Sequence, residues 1–301
     1  ENMFEVCVPA TSANLACGFD VLGLALNLFY RVEVSSEGEG FHLYHQGEGE
    51  GKIKEEDNLF FHAVRKTWEK ASFPGQGMRV KAFNEIPISR GLGSSAACIV
   101  AGVISANEVM GRVLNLSQMI EVASQIEGHS DNVLPAFLGG FTIALLREGR
   151  IFYHQLPFLR EVEMVVCIPD YTLSTEEMRK VLPSSYPRDK VVFTLSSLAY
   201  LLGSIFTGDK EGFFLSLEDE IHQPYRGAKI KGFSEVKEYI QKRNLGNVAI
   251  SGSGPALILF LSRPLREEEE EDLGKIFQSR GVSVEIKKVE AVEDGARVRK
   301  L

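Results

Sequence analysis

The stretch ISRGLGSSAACIVAGVISANEVMG, residues 88–111, decides the fold of the chain around it. Its long run of small and apolar residues predicts a helix over residues 94–110, and directly before that run stand Gly91, Gly93, Ser94 and Ser95. Glycines at this point let another group approach the backbone where the helix begins. The first amides of a helix lack intrahelical partners and carry partial positive charge, so this turn suits a phosphate.

The residues of the turn fit three kinds of structure. One is an ordinary glycine turn in which a serine caps the following helix. The second is a dinucleotide site, because GLGSSA matches GxGxxA. Residues 86–90 do not have the pattern of a regular strand, however, and no predicted strand ending in an acidic residue follows about twenty residues later. Both features are expected of a dinucleotide site, so this match is weak. The third is a triphosphate-binding loop outside the P-loop class, since the chain contains no GxxxxGK[ST].

Composition and charge restrict the class of protein. The 301 residues are 44% apolar and 25% charged, which is typical of a globular protein with a sizeable core. A net charge of −8 argues against broad binding to nucleic acid or to an acidic membrane surface, which require a positive face. Local geometry must therefore hold any phosphate-bearing partner.

Cysteine usage and the length of the apolar runs indicate the compartment. The four cysteines form no CxxC pair and the six histidines form no HExxH, which favours free thiols in a reducing environment. Apolar runs such as ALILFL are too short to cross a bilayer. We therefore expect a cytoplasmic protein that does not enter a membrane.

The order of periodic segments predicts an α+β protein. Alternating strands are expected in the first half, with helices over 58–71 (beginning near Asp57), over 94–110 and from a cap at Ser117. A buried strand starts afresh near residue 160, which places a domain boundary within 155–165 and predicts domains 1–160 and 161–301. Helices are expected over 175–182, 189–207 and 210–219, followed by two apolar strands around a glycine turn and a final helix and strand.

Three stretches together resemble the signature motifs of the GHMP kinases. PISRGLGSSAA (87–97) resembles the second motif, VPATSANLACGFDVLGLAL (8–26) the first, and AISGSGPALILF (249–260) the third. Within the group, EGHSDNVLPAFLGGF (127–141), STEEMRKVLP (174–183), IHQPYR (221–226) and VEDGARV (292–298) resemble the homoserine kinases. The resemblance covers nearly the whole chain. It implies an N-terminal domain like ribosomal protein S5 domain 2, a ferredoxin-like C-terminal domain, and an active site between them.

The resemblance implies transfer of the γ-phosphoryl group of ATP to the side-chain hydroxyl of L-homoserine, a step of threonine biosynthesis. It assigns Mg²⁺ to Ser95 and Glu121, and adenine to Asn58. It assigns the triphosphate to the second motif, which comprises Pro87, Ile88, Ser89, Arg90, Gly91, Leu92, Gly93, Ser94, Ser95, Ala96 and Ala97. Many members form homodimers, and the sequence itself decides nothing on this point.

The amino-acid substrate would be held by residues of several motifs. The resemblance places Asp20 at the substrate ammonium, Arg179 and Arg226 at its carboxylate, and His129 and Asn132 as hydrogen-bonding groups beside them. It gives catalytic roles to Asn14, Glu121 and Asn132. We expect positioning rather than a dedicated catalytic base, since Asn132 cannot usefully accept a proton.

Pattern and resemblance disagree about Glu121. Met119, Val122, Ala123 and Ile126 form the apolar stripe of the predicted helix, so Glu121 lies on the opposite face, where a solvent-exposed glutamate is the ordinary interpretation. The isolated arginines would likewise be surface charges without their motifs, and Asn14 and Asp20 would be turn residues.

The first motif departs from the family at one place. Ala16 and Cys17 stand where its members usually have Gly-Pro, which alters the backbone preferences of the loop and puts a thiol near the site. The rival functions are another GHMP kinase, of the mevalonate or shikimate type, and a non-catalytic relative that senses its ligand.

Overall fold

The computed structural model describes residues 3–52 and 58–301, which form two β-sheets with helices packed against them. The strands of these residues are β1 (Met3–Ala13), β2 (Leu22–Ser35), β3 (Gly40–Gly47), β4 (Gly77–Asn84), β5 (Phe141–Arg147), β6 (Arg150–Leu156), β7 (Glu163–Pro169), β8 (Gly246–Ile250), β9 (Leu257–Leu261), β10 (Val284–Val289) and β11 (Arg297–Lys300). The helices are α1 (Leu59–Lys70), α2 (Ser94–Val109), α3 (Leu116–Glu127), α4 (Val133–Leu138), α5 (Thr175–Lys180), α6 (Arg188–Thr207), α7 (Lys210–Ser216), α8 (Gln223–Gly227), α9 (Phe233–Lys242) and α10 (Glu267–Ser279). The α+β class expected from the sequence is confirmed.

The first sheet has the strand order β11-β1-β2-β4-β3, with the hairpin β5–β6 attached to the beginning of β2. The strand β3 does not pair with β2, although only residues 36–39 separate the two strands. It runs parallel to β4 instead, in the register Gly40 to Gly77. The helix α2 packs against β1, β2, α1, α3 and α4, and most of its side chains are buried. A helix that is apolar on all sides belongs inside a core.

The second sheet has the order β10-β7-β9-β8 with antiparallel neighbours. Its βαββαβ succession is that of a ferredoxin-like fold. Side chains alternate along β7: Met164 and Val166 join the core beneath the first sheet, while Val165 and Cys167 pack under α9 and α10. One continuous hydrophobic cluster therefore extends from the first sheet to one face of the second.

The chain does not divide simply at residue 160. The strand β11 lies far along the predicted second domain, yet it pairs with β1 in the first sheet. A bridge between Leu26 and Ala291 also ties the C-terminal segment to β2. The division into 1–160 and 161–301 stays a prediction, with the C-terminal strand crossing it.

Two helix starts differ from the sequence interpretation. The side chain of Asn58 caps α1 by accepting from the Phe60 amide, while Asp57 lies outside the described residues. Asn115, not Ser117, caps α3, through reciprocal bonds with Gln118. An asparagine followed three positions later by glutamine forms a capping box as a serine would.

The helix α6 is longer and more apolar than the sequence analysis expected of any segment. Within the part of the chain that the structure describes, it is the one helix long and apolar enough to span a bilayer, with 20 residues, and 22% of its most apolar stretch is buried. Its sequence, RDKVVFTLSSLAYLLGSIFT, carries charge only in its first three residues. Several of its large apolar side chains face outward, Phe206 at 84% exposure being the most open.

Candidate active site

A cavity of about 510 Å³ opens where the turn after β1, the beginning of α2, the β8–β9 turn and α5 come together. Its volume is in the range of small-molecule sites. Most of the predicted site residues line it, namely Asn14, Asp20, Asn58, Ile88, Ser89, Gly91, Gly93, Ser94, Ser95, His129, Asn132, Arg179 and Arg226. Residues that are scattered over most of the sequence therefore share one site.

Part of the second motif supports the turn from behind and does not line the cavity. Leu92, Ala96 and Ala97 are fully buried in the core. The guanidinium of Arg90 donates to the carbonyl oxygens of Pro169 and Ile88, at 2.8 and 2.7 Å. Pro87 is also buried, just before the turn. The side chains of these five are occupied by packing or by backbone carbonyls, so only their backbone amides or carbonyls could reach the triphosphate. Their assignment to the triphosphate stays a prediction.

The turn before α2 presents free backbone amides. Gly93, with φ of 73°, is the N-cap of α2 and supplies no side-chain bond to the helix amides. A Cβ at Gly93 would collide with Thr11 Oγ1, and one at Gly91 with the carbonyl oxygen of Ser251. The glycines thus allow the first and third motifs to touch this turn, and the open end of a 16-residue helix faces the cavity.

The carboxylate beside Ser95 is Glu127. The Ser95 hydroxyl donates to Glu127 Oε1 at 2.7 Å, and both residues line the cavity. Burial raises the pKa of the Glu127 carboxyl, although the bond from Ser95 and the charge of His129 oppose the rise. A desolvated carboxylate of this kind is suited to a cation.

Glu121 does not share a site with Ser95, which corrects its predicted metal-binding and catalytic role. Its Oε1 accepts from Lys70 Nζ of α1 at 3.2 Å, and its side chain is half exposed. Six residues of helix turn a side chain by roughly 600°, so Glu121 and Glu127 point in directions about 120° apart. The amphipathic pattern therefore gave the better interpretation of Glu121, and the carboxylate that meets Ser95 is that of Glu127 at the end of α3.

A hydrogen-bonded group follows α3 on the same side of the cavity. His129 Nδ1 lies 2.5 Å from Asp131 Oδ1, and Thr11 Oγ1 donates to Asn132 Oδ1 at 2.7 Å. Burial lowers the pKa of His129, but the bond and charge of Asp131, with the charges of Glu127 and Asp20, raise it above the usual value overall. Because the Asn132 oxygen is occupied by Thr11, its amide nitrogen is the group left for a ligand.

The turn after β1 is held in an unusual backbone conformation. Asn14, Leu15 and Ala16 all have positive φ, of 74°, 49° and 59°. Consecutive left-handed residues other than glycine cost about 1–2 kcal/mol each. The Asn14 side chain donates to the Gly252 carbonyl at 2.8 Å and accepts from the Asp20 amide at 3.0 Å, which fixes Asp20 at the cavity.

Two arginines close the far end of the cavity. Arg179 forms a two-pronged ion pair with Asp20, with both N–O distances 2.9 Å. Arg226 is 1% exposed, and its Nε donates to the Met178 carbonyl at 3.1 Å. Among residues 3–52 and 58–301 no carboxylate pairs directly with Arg226, so its charge is available to an anion.

Several contacts in the site were not predicted from the sequence. Thr11 orients Asn132, Phe19 lies against both arginines, and Ser251 donates to the Gly91 carbonyl at 2.7 Å. Glu127 directly precedes the GHSDN segment, and that adjacency to His129 was a usable signal. Thr11 and Ser251 carry no such signal, because only the tertiary approach of the motifs gives them partners.

Comparison with known proteins gives consistent results. Residues 58–140 match the family model described as the GHMP kinases N-terminal domain. A homoserine kinase of Clostridium botulinum is 39% identical over 277 residues, which is 92% of this chain and 91% of the relative. A homoserine kinase of Petrotoga mobilis is 36% identical over 89% of this chain and 88% of its own length.

Solved structures show the same architecture. The crystal structure of homoserine kinase from Cytophaga hutchinsonii superposes with a TM-score of 0.86 at 26% identity, over 99% of this chain and 98% of that chain. The L. major mevalonate kinase in complex with R-mevalonate superposes with a TM-score of 0.71 at 12% identity, over 96% of both chains. At 12% identity the second likeness concerns the fold alone.

The thiol that departs from the usual first motif is predicted to be unreactive. Cys17 is buried, its Sγ lies 3.3 Å from the Ser216 carbonyl, and burial together with the Asp219 charge raises its pKa to about 12. The thiolate is the reactive form, so we expect iodoacetamide at pH 8 to leave Cys17 unmodified in the folded protein. Peptide mass spectrometry before and after unfolding in guanidinium measures this. Modification of Cys17 in the native protein at the rate seen after unfolding would contradict its burial.

Proposed function

The chain belongs to the homoserine kinase family of the GHMP kinases, and from this premise we propose that it transfers the γ-phosphoryl group of ATP to the side-chain hydroxyl of L-homoserine. The products are ADP and O-phospho-L-homoserine, and the hydroxyl proton is released. Phosphoryl transfer depends mainly on positioning and on stabilising charge. Because O-phosphohomoserine precedes threonine, we place the reaction in threonine biosynthesis.

The observation that carries the proposal is the polarity of one cavity. Its α2 end offers backbone amides to phosphate, while its far end offers Asp20, Arg179 and Arg226. A substrate with both an ammonium and a carboxylate matches an acid and two arginines. Mevalonate and shikimate carry a carboxylate and no ammonium, so they would leave the acid without a cationic partner other than Arg179.

The amino-acid end requires an exchange of ion pairs. We propose that the substrate ammonium takes over Asp20 and that the substrate carboxylate takes over Arg179, which are paired with each other in this structure. Arg226, buried and without a direct carboxylate partner among the described residues, supplies a second cation for the same carboxylate. The ammonium and the carboxylate of the substrate would then be held at two fixed positions. Together these positions direct the side-chain hydroxyl toward the γ-phosphate.

Mg²⁺ is proposed as the cofactor, held by Ser95 and Glu127. No group of three or more His, Cys, Asp or Glu able to hold a metal occurs in the part of the chain that the structure describes. Magnesium usually takes one or two protein ligands and completes its shell with water and substrate phosphate, so a hydroxyl and one buried carboxylate fit it. When bound, the ion neutralises developing charge on the transferring phosphate.

Asn14 and Asn132 are proposed as catalytic positioning groups, with Asn58 near the adenine. Both catalytic asparagines line the cavity and are oriented by the protein, Asn132 through its oxygen and Asn14 through both its nitrogen and its oxygen. An amide cannot take up the hydroxyl proton, so neither acts as a base. His129, oriented by Asp131, contributes a hydrogen bond at the same place.

Acceptor specificity tests the proposed function directly. We expect Mg²⁺-dependent consumption of ATP with L-homoserine, and little with L-serine, L-threonine, mevalonate or shikimate, because these lack either the ammonium or the reach of the hydroxyl. A coupled ADP assay across this panel, with and without Mg²⁺, measures the preference. Turnover of mevalonate or shikimate alone would replace homoserine as the substrate. Ligand binding without any turnover would favour the non-catalytic relative.

The two glutamates of α3 form a matched pair of variants. We expect Glu127→Gln to lower kcat by about 100-fold or more and to raise the Mg²⁺ concentration needed for half-maximal rate, because a metal-bound carboxylate is lost. Glu121→Gln removes only an exposed ion pair with Lys70 and should stay within about 2-fold of the natural protein. Mg²⁺ titrations of the rate compare them. A larger loss in Glu121→Gln than in Glu127→Gln would reverse the assignment.

We further propose a cytoplasmic homodimer that binds neither nucleic acid nor membrane, with the outer face of α6 as its interface. Val192, Phe193, Leu195, Tyr200 and Phe206 are exposed there. Together they offer on the order of 500 Å² of apolar surface, near the upper limit left bare on monomers. A two-fold contact buries the patch twice, on the order of 1,000 Å², which reaches the lower bound for a specific interface. Gly203, within this helix, has open space at its Cβ position, so a second helix can approach closely.

Mass in solution tests this interface. We expect a dimer by light scattering at micromolar concentration, and a monomer for the double variant Leu195→Asp/Phe206→Asp, because charges would be buried in the contact. Phe152→Asp, on the exposed hairpin β5–β6, is the control and should stay dimeric. A monomeric natural protein would exclude the dimer, and its flotation with phospholipid vesicles would assign the apolar face of α6 to a membrane.

A further inference from the structure

Behind the arginine end of the cavity lies a histidine that the proposed reaction does not use. His222 is the residue before α8, is fully buried, and does not line the cavity. Its imidazole nevertheless touches the turn after β1 and one of the substrate-facing arginines. These contacts join a loop of the first motif to a helix about 200 residues later in the chain.

One ring nitrogen holds the strained turn. His222 Nε2 lies 2.8 Å from the carbonyl oxygen of Ala16, the last of three consecutive residues with positive φ. A carbonyl oxygen only accepts, so Nε2 carries the hydrogen. This bond fixes the turn that carries Phe19 and from which Asp20 reaches the cavity.

The other ring nitrogen faces Arg226. Arg226 Nη1 lies 3.4 Å from His222 Nδ1. Because a guanidinium only donates hydrogen bonds, Nδ1 accepts this one. The two contacts together require the neutral imidazole with its hydrogen on Nε2. The ring also stacks on Phe19, with centroids 5.1 Å apart, and Phe19 in turn lies beneath Arg179 and Arg226 at 5.6 and 5.2 Å.

Burial keeps the His222 imidazole neutral. Burial lowers its pKa, and the charge of Arg226 lowers it further, whereas Asp219, the Ala16 carbonyl and Asp20 act in the opposite direction. The Asp219 carboxylate is 3.5 Å from Nε2 but is occupied by the amides of Ile221, His222 and Gln223, at 3.1, 2.7 and 2.8 Å. Three amide donors stabilise that carboxylate without a proton from the imidazole.

We propose that His222, as the neutral Nε2–H tautomer, is a positioning residue that sets the affinity for the amino-acid substrate by locking Arg226 and the 14–20 turn into one geometry. The inference rests on the proposed function, since it concerns the same carboxylate site. His222 touches no substrate atom. It acts through Ala16, Phe19 and Arg226.

Three substitutions separate its contacts. His222→Gln keeps a donor that reaches the Ala16 carbonyl and loses the acceptor for Arg226. His222→Asn keeps an acceptor near Arg226 and loses the donor, while His222→Phe keeps only the stacking on Phe19. A hydrogen bond to a charged group changes affinity by about 10- to 100-fold. We expect His222→Phe to raise KM for homoserine by that factor, with smaller increases in the other two and KM for ATP within about 2-fold.

The controls distinguish positioning from general damage. His154→Gln changes an exposed histidine of β6 and should match the natural protein in both KM values. A folded His222→Phe whose KM for homoserine is unchanged, or whose KM for ATP rises equally, would overturn the inference. If the natural protein does not phosphorylate homoserine, the proposed function fails instead, and KM is then measured with the acceptor that the panel identifies.

The pH dependence supplies a signature that lost packing would not produce. Because the pKa of His222 lies below the usual histidine value, its Nδ1 gains a proton facing Arg226 only below about pH 6.5, and KM for homoserine should rise there. His129 titrates in both proteins, so the difference between the natural and His222→Gln profiles isolates His222. Parallel profiles would count against the inference.

Nitrogen-15 NMR of the natural protein tests the tautomer directly and needs no variant. A charged imidazole, or one with its hydrogen on Nδ1, at pH 7 would also overturn the inference.

Discussion

The close approach of three backbone turns is the constraint on which the rest of the structure depends. The turns after β1, before α2 and between β8 and β9 meet where Gly91 contacts the Ser251 carbonyl and Gly93 contacts Thr11. Hydrogen bonds from Asn14 to Gly252 and from Ser251 to Gly91 join the same turns. Side chains larger than hydrogen at either glycine would separate them. Backbone hydrogen bonds also join these turns, from the amides of Thr11, Gly252 and Ala256 to the carbonyls of Leu92, Ala13 and Arg90. The three motifs are therefore assembled together.

The site divides its charges along the cavity. One end relies on helix amides, whose partial charges need no counter-ion, and so phosphate can be bound by a chain with a net charge of −8. The other end relies on full charges, with Asp20 and Arg179 paired to each other and Arg226 held by neutral groups. A buried cation without a direct carboxylate partner is costly in a folded protein, and an anionic substrate offsets that cost. The same water-poor cavity therefore strengthens the interactions that bind the substrate and those that stabilise the transferring phosphate.

Much of the candidate site was predictable because its motifs are local. The second motif correctly indicated a helix beginning near residue 94 with a glycine turn before it, and the order of strands and helices indicated an α+β fold. Glu121 was misassigned because the family resemblance, carried along the chain by position, was preferred to its place on a helical face. The amphipathic pattern had already put it on the outside, where it pairs with Lys70. Periodicity reports which face is buried, whereas spacing along a chain does not report distance in space.

The sequence by itself determined most helices, most strands, the glycine turn before α2 and the family, because helix and strand propensities, glycine positions and motifs are local features of the chain. The helices α4, α8 and α9 were not predicted. Only the tertiary structure decided that β3 runs parallel to β4, that β11 returns to the first sheet, and that Glu127 faces Ser95. It alone joined His222 to Ala16 across the chain. These are long-range pairings, and a one-dimensional pattern records which groups need a partner without recording which partner the fold brings to them.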